Sequence, residues 1–497
     1  MFDRMNASRC LARWADVAGE LEWATQWTSL YEPEGWSGHW FVGGQLNIAV
    51  NCVDRHVRAG RGDQPAIVWE GEPGDRRVLS YAKLNDEVLV FAAALRRTGV
   101  VTGDRVALHL GWLPETVVAM LACARIGAVP TVLGVELPTE TLAARLADLR
   151  PKVLVTQDGA WHGGTILPLK ARVDDAAESG HVPLTVVVQR TGTLVGWQKK
   201  DQWLYEFLAA PGPDGTEGGP LPTALDAGHV AATMFDDRHG ETLAMWYGAA
   251  ALLASAATVH RHGLSSGGVF WCAMDIARPD TQIHGIYGPL ACGDTAVMYE
   301  GLPQVPTRGR AWELVQRYGV GTLVTVPSTL RQLRGPFLRH LVRRAAAPLR
   351  RVVIVGSVEE DLVEWLRQEV GEDRISVDIA WGQAETGGIA LLGEPVDPDR
   401  LPDPGFAVVD EAGEEQSDGG PGELVITRPW AGLAGGFEGA GADAAAAARG
   451  RLGDGYYCTG EAARRGPDGR LEVLGHPNAS KVTRPAAQEE ASSPGTA

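Results

Sequence analysis

The sequence predicts an α/β protein of two lobes, each a parallel sheet with helices on both faces, followed by a small β-barrel-like region. Three observations predict it. From Ala66 onward, apolar strands alternate with amphipathic helices, the pattern of parallel strands joined by right-handed crossovers. The alternation pauses at Ala209–Gly228, rich in Pro and Gly, and then resumes. After Pro395 it gives way to short strands separated by Gly-rich turns. The expected divisions are a cap region over 1–60, a first lobe over 61–228, a second over 229–394, a β-rich region over 395–475 and a disordered tail over 476–497.

Residues up to about Leu30 read as an amphipathic start rich in Trp (Trp14, Trp23, Trp27), and Trp40–His56 as a loop and then a helix. Ser80 is a good N-cap, and Leu84, Val88, Phe91 and Leu95 share one helical face before Gly99 ends it. Arg105–Leu110 is a strand, and Pro114 stands where a first helical turn tolerates proline, opening a helix that runs to Gly127. Strand Ala128–Leu133, helix Thr139–Arg150 and strand Lys152–Thr156 repeat the unit. In the second lobe a strand at His229–Phe235 precedes helix Leu243–His260. Strands Val269–Ala273 and Ala296–Tyr299, helix Ala311–Tyr318, strands Thr322–Val326 and Arg351–Val355 and helix Asp361–Val370 follow. Beyond Pro395, strands are expected at Phe406–Asp410, Glu423–Thr427, Tyr456–Thr459 and Leu471–Leu474, with Gly435–Gly450 an irregular Ala/Gly-rich insertion.

With 45 Lys and Arg against 62 Asp and Glu, the net charge is −17, which disfavours phosphate-backbone binding and so a nucleic-acid partner. The six cysteines are scattered without a CxxC pair and read as small buried residues of a reducing cytosol. No signal peptide is recognisable and no apolar run is long enough to span a bilayer, so a cytoplasmic protein with no membrane partner is expected. No lysine lies between Lys200 and Lys481.

The most informative stretch is Ile375–Leu392. Its first half alternates with the period of a strand, Ile375, Val377, Ile379 and Trp381 sharing one side. Its second half is a loop in which Gly382, Gly387 and Gly388 let the backbone turn sharply beside Gln383, Glu385 and Thr386. In an open α/β sheet, ligands bind in the crevice beyond the carboxyl ends of the strands. The residues alone leave two readings open, a ligand-contacting loop or a polar turn after a buried strand.

Long segments carry a family likeness: WFVGGQLN at Trp40–Asn47, MLACARIGAV at Met120–Val129, VFWCAMD at Val269–Asp275, YGPLACG at Tyr287–Gly293, AWGQAETGG at Ala380–Gly388 and GYYCTGEAARR at Gly455–Arg465. Through them the chain resembles the AMP-forming acyl-CoA synthetases of the adenylate-forming superfamily, and among these acetyl-CoA synthetase. The resemblance implies the large N-terminal domain of such an enzyme, two doubly wound sheets plus a barrel, then a C-terminal domain of roughly a hundred residues. The sequence ends without that domain, and a truncated protein is the expectation. The implied chemistry uses ATP with Mg and CoA: a carboxylate attacks the α-phosphate to give acyl-AMP, and the CoA thiol then displaces AMP.

Measured against that chemistry, several motifs are altered. The family's Ser/Thr/Gly-rich phosphate loop with its lysine is replaced by Asp236, Asp237, Arg238, His239, Gly240, Glu241 and Thr242, three carboxylates with only Arg238 in compensation. A like-charge contact near 4 Å costs on the order of 4 kcal/mol at an effective dielectric of about 20. A metal site of Asp236, Asp237, His239 and Glu241 and a solvated loop are the two readings of that segment, and no metal is expected. The adenine-stacking turn is shortened, Gly356-Ser357-Val358 running straight into Glu359. Glu461 stands for the ribose-binding aspartate and His476 for a following arginine. The acyl-pocket segment reads Arg278-Pro279-Asp280, and Gly382 replaces a pocket-closing tryptophan, implying a ligand larger and more polar than acetate. The arginines that grip CoA phosphate correspond to His162 and Thr165, flanking Gly163 and Gly164. Trp381, Gln383, Glu385, Thr386, Gly387 and Gly388 survive at the crevice mouth, and the core patterning is intact.

Random decay would damage core and crevice alike, so the expectation is a folded protein of changed purpose. Three functions are open: a pseudoenzyme that binds a small molecule or protein partner in the remnant crevice; an enzyme acting on a preformed acyl-adenylate or acyl thioester with a C-terminal domain lent in trans; or a ligase for an acid larger than acetate.

Overall fold

The Val-rich strands Val153–Gln157 and Val320–Thr325 are buried at every position, so they must be covered on both faces, the condition of a parallel sheet. The computed structural model describes residues 4–177, 182–209, 219–237, 242–265, 268–335, 339–393, 401–416, 419–453, 456–467 and 469–475. It contains two such sheets. The first has five parallel strands in the order Asp201–Trp203, Thr185–Val188, Val153–Gln157, Arg105–His109, Val129–Val132. The second has eight: Leu391–Leu392, Ser376–Trp381, Arg351–Val355, Val320–Thr325, Val269–Cys272, Thr295–Tyr299, Pro65–Glu70 and Arg76–Ser80. Its edge strands run antiparallel to their neighbours and the inner ones are parallel. The α/β class with doubly wound sheets is therefore the observed one.

Local signals set the helix ends. Ser80 Oγ accepts Lys83 N–H at 3.2 Å at the start of Tyr81–Arg97. Pro114 opens helix Pro114–Ile126, and Gly127 at φ +77° closes it.

Four features differ from expectation. Pro65–Glu70 and Arg76–Ser80 pair into the second sheet, so that sheet crosses the boundary drawn at 228/229. Leu243–Gly248, expected as the first turns of a helix, is a strand hydrogen-bonded on both sides, to Val230–Asp236 and Gly436–Glu438; the helix starts at Ala249. Between two ready partners, pairing outweighs helical propensity. The β-rich region is an open antiparallel sheet of four strands, Phe406–Val409, Gly422–Ile426, Tyr457–Arg465 and Leu471–Gly475, because Gly436–Glu438 leaves to join the three-stranded sheet. Within the insertion at Gly435–Gly450, Ala442–Arg449 is helical, as an Ala-rich run favours. The tail 476–497 and most of the Pro/Gly-rich loop (210–218) lie outside the described residues.

Glu70, fully buried at the end of its strand, gathers Arg310 at 2.6 Å, Arg317 at 2.6 Å and the Tyr318 hydroxyl. These groups come from helix Arg310–Tyr318, so one carboxylate ties an early strand to the second lobe. Burial alone would raise its pKa, but the hydrogen bonds from Tyr318 and Arg317 and the charge of Arg310 outweigh that and hold it below the ordinary 4.5. A depressed carboxyl contributes stability that is present above its unfolded pKa and lost as pH falls through the folded value. Glu70→Ala should therefore destabilise the chain by about 3 kcal/mol or more, since breaking a buried pair strands the partners. In thermal melts, the wild-type advantage over this variant should shrink as pH is taken below the normal glutamate range.

Candidate functional site

The strand Ser376–Trp381 ends in a loop whose shape depends on glycine. A Cβ on Gly382 would lie 1.9 Å from Gly388 O, so the chain doubles back on itself. Gly387 and Gly388 adopt φ of +75° and +89°, and a Cβ on them would meet Gly432 O at 2.6 Å and Asp280 Cβ at 2.5 Å. Only glycine fits between those two walls. Between them, Gln383 N–H donates to Thr386 Oγ1 at 2.9 Å, and Thr386 Oγ1 donates to Gln383 O at 3.0 Å, closing the short turn Ala384–Thr386. Below the loop, His284 Nε2 lies 2.7 Å from Gly387 O. Burial lowers the pKa of His284 to about 4, so it is neutral and donates that bond. Along the preceding strand Ala380 is buried while Ile379 is 45% exposed, contrary to the expected alternation.

The polar groups of this loop are already engaged. Glu461 accepts Trp381 Nε1–H at 2.9 Å with one oxygen and Gln383 Nε2–H at 3.0 Å with the other. Gln383 also donates to Thr459 O at 2.9 Å. Glu385, only 4% exposed, pairs with Arg449 at 2.8 Å, and Arg449 also donates to Thr459 O at 2.7 Å. Arg449 ends the helix Ala442–Arg449, and nothing local in the sequence marked it. The surviving residues Trp381, Gln383, Glu385 and Thr386 and the substituted Glu461 are thus brought together, clasped to the C-terminal sheet.

Facing this loop, Asp236 ends its strand and Asp237 pairs with Arg145 of helix Thr139–Leu149, while Thr242 Oγ1 donates to Asp237 at 2.9 Å. Arg145 also lies 4.5 Å over the Phe235 ring. This corrects the expectation that Arg238 alone compensates the acids there: the cation comes from the first lobe. Arg238, His239, Gly240 and Glu241 lie outside the described residues. Arg278 caps a short helix opened by Pro279 and binds Asp280 at 3.0 and 2.5 Å, so the acyl-pocket segment carries an internally matched pair. A cavity of about 360 Å³ lies between these groups, and its described walls hold five carboxylates (Glu136, Asp236, Asp237, Asp275, Asp280) and two guanidiniums (Arg145, Arg278). Gly382 is not in those walls. Among the described residues, no group of three or more His, Cys, Asp or Glu is placed to hold a metal.

His162, Gly163, Gly164 and Thr165 form the tip of a hairpin of Ala160–His162 and Thr165–Leu167. The amides of Gly163 (2.9 Å) and Gly164, the kind of paired N–H groups that cradle an anion, both donate to Glu72. His162 pairs with Glu136 at 2.8 Å, and Thr165 donates to His162 O at 2.9 Å. Burial pushes the thiols of Cys10 and Cys52 up to about 12. No helix of the described residues is long and apolar enough to cross a membrane.

Comparison with known proteins matches residues 53–235 and 244–437 to the model of the AMP-binding enzymes, and residues 12–52 to that of the acetyl-coenzyme A synthetase N-terminus. The chain is 38% identical over 453 residues to an acetyl-coenzyme A synthetase of Streptomyces avermitilis, covering 86% of this chain and 67% of that protein. It is 35% identical over 496 residues to one of Mycobacterium tuberculosis, covering 94% and 75%. The acetoacetyl-CoA synthetase from Streptomyces lividans superimposes with a TM-score of 0.82 at 20% identity, over 95% of this chain and 74% of that one, a likeness of fold.

Arg449→Met should leave Glu385 buried without its cation and lower stability by about 3 kcal/mol. Arg449→Lys, which keeps the charge but cannot fork to Glu385 and Thr459 O together, should recover only part of it. Denaturant titration of the three proteins measures both effects.

Proposed function

The chain belongs to the AMP-binding enzyme family, and on that premise we propose that it is an acetyl-CoA synthetase-like protein that holds a small ligand in its crevice without adenylating an acid from ATP on its own. The observation that carries this reading is that the chain's own side chains take the bonds a nucleotide would need. Glu461, at the ribose position, is occupied by Trp381 and Gln383, and Glu385 by Arg449. Glu72 fills the amide pair at Gly163 and Gly164. Phosphates entering the larger cavity would meet more carboxylates than guanidiniums in its described walls, which disfavours a bare triphosphate there. A cytoplasmic protein of net charge −17 that binds neither nucleic acid nor membrane completes the proposal.

A second reading, a working acyl-CoA ligase, is favoured by the 38% identity to a protein named acetyl-coenzyme A synthetase, and Gly382 with Arg278 and Asp280 would suit it to an acid larger than acetate. One assay separates the two. The full chain is incubated with ATP, Mg²⁺, CoA and a panel of acids from acetate and acetoacetate to longer and aromatic ones, with an active synthetase in parallel. No AMP above the protein-free background is expected; AMP formed in step with an acyl-CoA overturns the proposal and establishes the second reading.

A further inference from the structure

A second cavity, of about 250 Å³, lies beside the first and shares Glu136, Asp275 and Arg278 with it. Its walls are aromatic: Trp112, Trp161, Trp271 and Tyr299. Trp112 is fixed by donating Nε1–H to Met274 O at 2.8 Å, and Trp271 is buried in its strand. Arg310 already lies 5.3 Å over the Tyr299 ring, and Trp112 and Trp271 are 9% and 2% exposed, so the half-buried Trp161 is the most open of the three indoles.

The charge of these walls is negative. Glu136, Asp275 and Glu300 stand against Arg278, with His162 paired to Glu136. Glu300 is balanced by Arg190 and Arg278 is bound to Asp280. Asp275 differs. It accepts Ala277 N–H at 2.9 Å, and among the described residues it joins no ion pair. Asp275 is an exposed residue that lines both cavities. Desolvation and the charge of neighbouring Glu136 push its pKa upward, against the opposing pull of the Ala277 N–H, Arg278 and His162.

Indole faces attract cations through the ring quadrupole, and a carboxylate beside them adds direct attraction. We propose that this cavity binds an organic monocation with a flat apolar body, an arylalkylammonium, its charge resting on Asp275 and its body between the indoles of Trp112, Trp161 and Trp271. The assignment is independent of whether the chain adenylates an acid, since it concerns only what the aromatic cavity recognises.

The test is calorimetric titration of the full chain with three probes of one shape: 2-phenylethylamine, 2-phenylethanol and 3-phenylpropanoate, which are cationic, neutral and anionic. The amine should bind saturably and at least about tenfold tighter than the alcohol, with no saturable heat from the carboxylate. Asp275→Asn should bring amine and alcohol within about twofold of each other, and Trp161→Ala should weaken the amine roughly tenfold. If either variant fails to fold, the wild-type series still decides. Absence of saturable amine binding, equal binding of amine and alcohol, or carboxylate binding as tight as the amine's overturns the proposal. Unchanged amine affinity in folded Asp275→Asn overturns the role of Asp275. AMP release in the ligase assay would remove the adenylation reading and leave this one standing.

Discussion

The buried ion pair between Glu385 and Arg449 sets the geometry of the crevice. A carboxylate as enclosed as Glu385 is costly unless a cation and hydrogen bonds meet it. Arg449 supplies the cation and, through Thr459 O, also grips the strand Tyr457–Arg465. Glu461 on that strand reaches back to Trp381 and Gln383. The loop at the end of Ser376–Trp381 is thereby fastened to the C-terminal sheet from two directions. Its preserved polar residues are satisfied within the chain, and their survival in the sequence is explained by structure before any ligand is invoked.

The same principle recurs around the crevice. Glu72 sits in the amides of Gly163 and Gly164, Arg145 meets Asp237, and Arg278 meets Asp280. Each pair satisfies a charged or polar group of the crevice from inside the chain. Carboxylates nonetheless outnumber cations in the described walls of both cavities, and the two share Glu136 and Asp275. A field of that sign repels phosphates and draws in cations.

Local signals in the chain were sufficient for much of the fold. Ser80, Pro114 and Gly127 act on neighbours within one turn, and the helices they bound lie where their spacing places them. The site loop was equally legible, because Gly382 abuts the loop's own Gly388 O and Gly387 and Gly388 take positive φ, both local constraints. What could not be read depends on partners far away in sequence. Leu243–Gly248 is a strand because Val230–Asp236 and Gly436–Glu438 flank it. Arg145 is 92 residues from Asp237, Arg449 is 64 from Glu385, and Glu72 is 91 from Gly163. The sequence therefore displayed the altered acids while concealing the cations and amides that answer them.

Whether internal pairs have displaced the nucleotide is best asked with the simplest molecule that needs the Glu461 and Glu385 region and no phosphate chain. Calorimetric titration of the full chain with AMP does so directly. Heats indistinguishable from dilution up to millimolar AMP are the expected result, because Trp381, Gln383 and Arg449 would have to release their carboxylates first. Saturable binding in the micromolar range would contradict it.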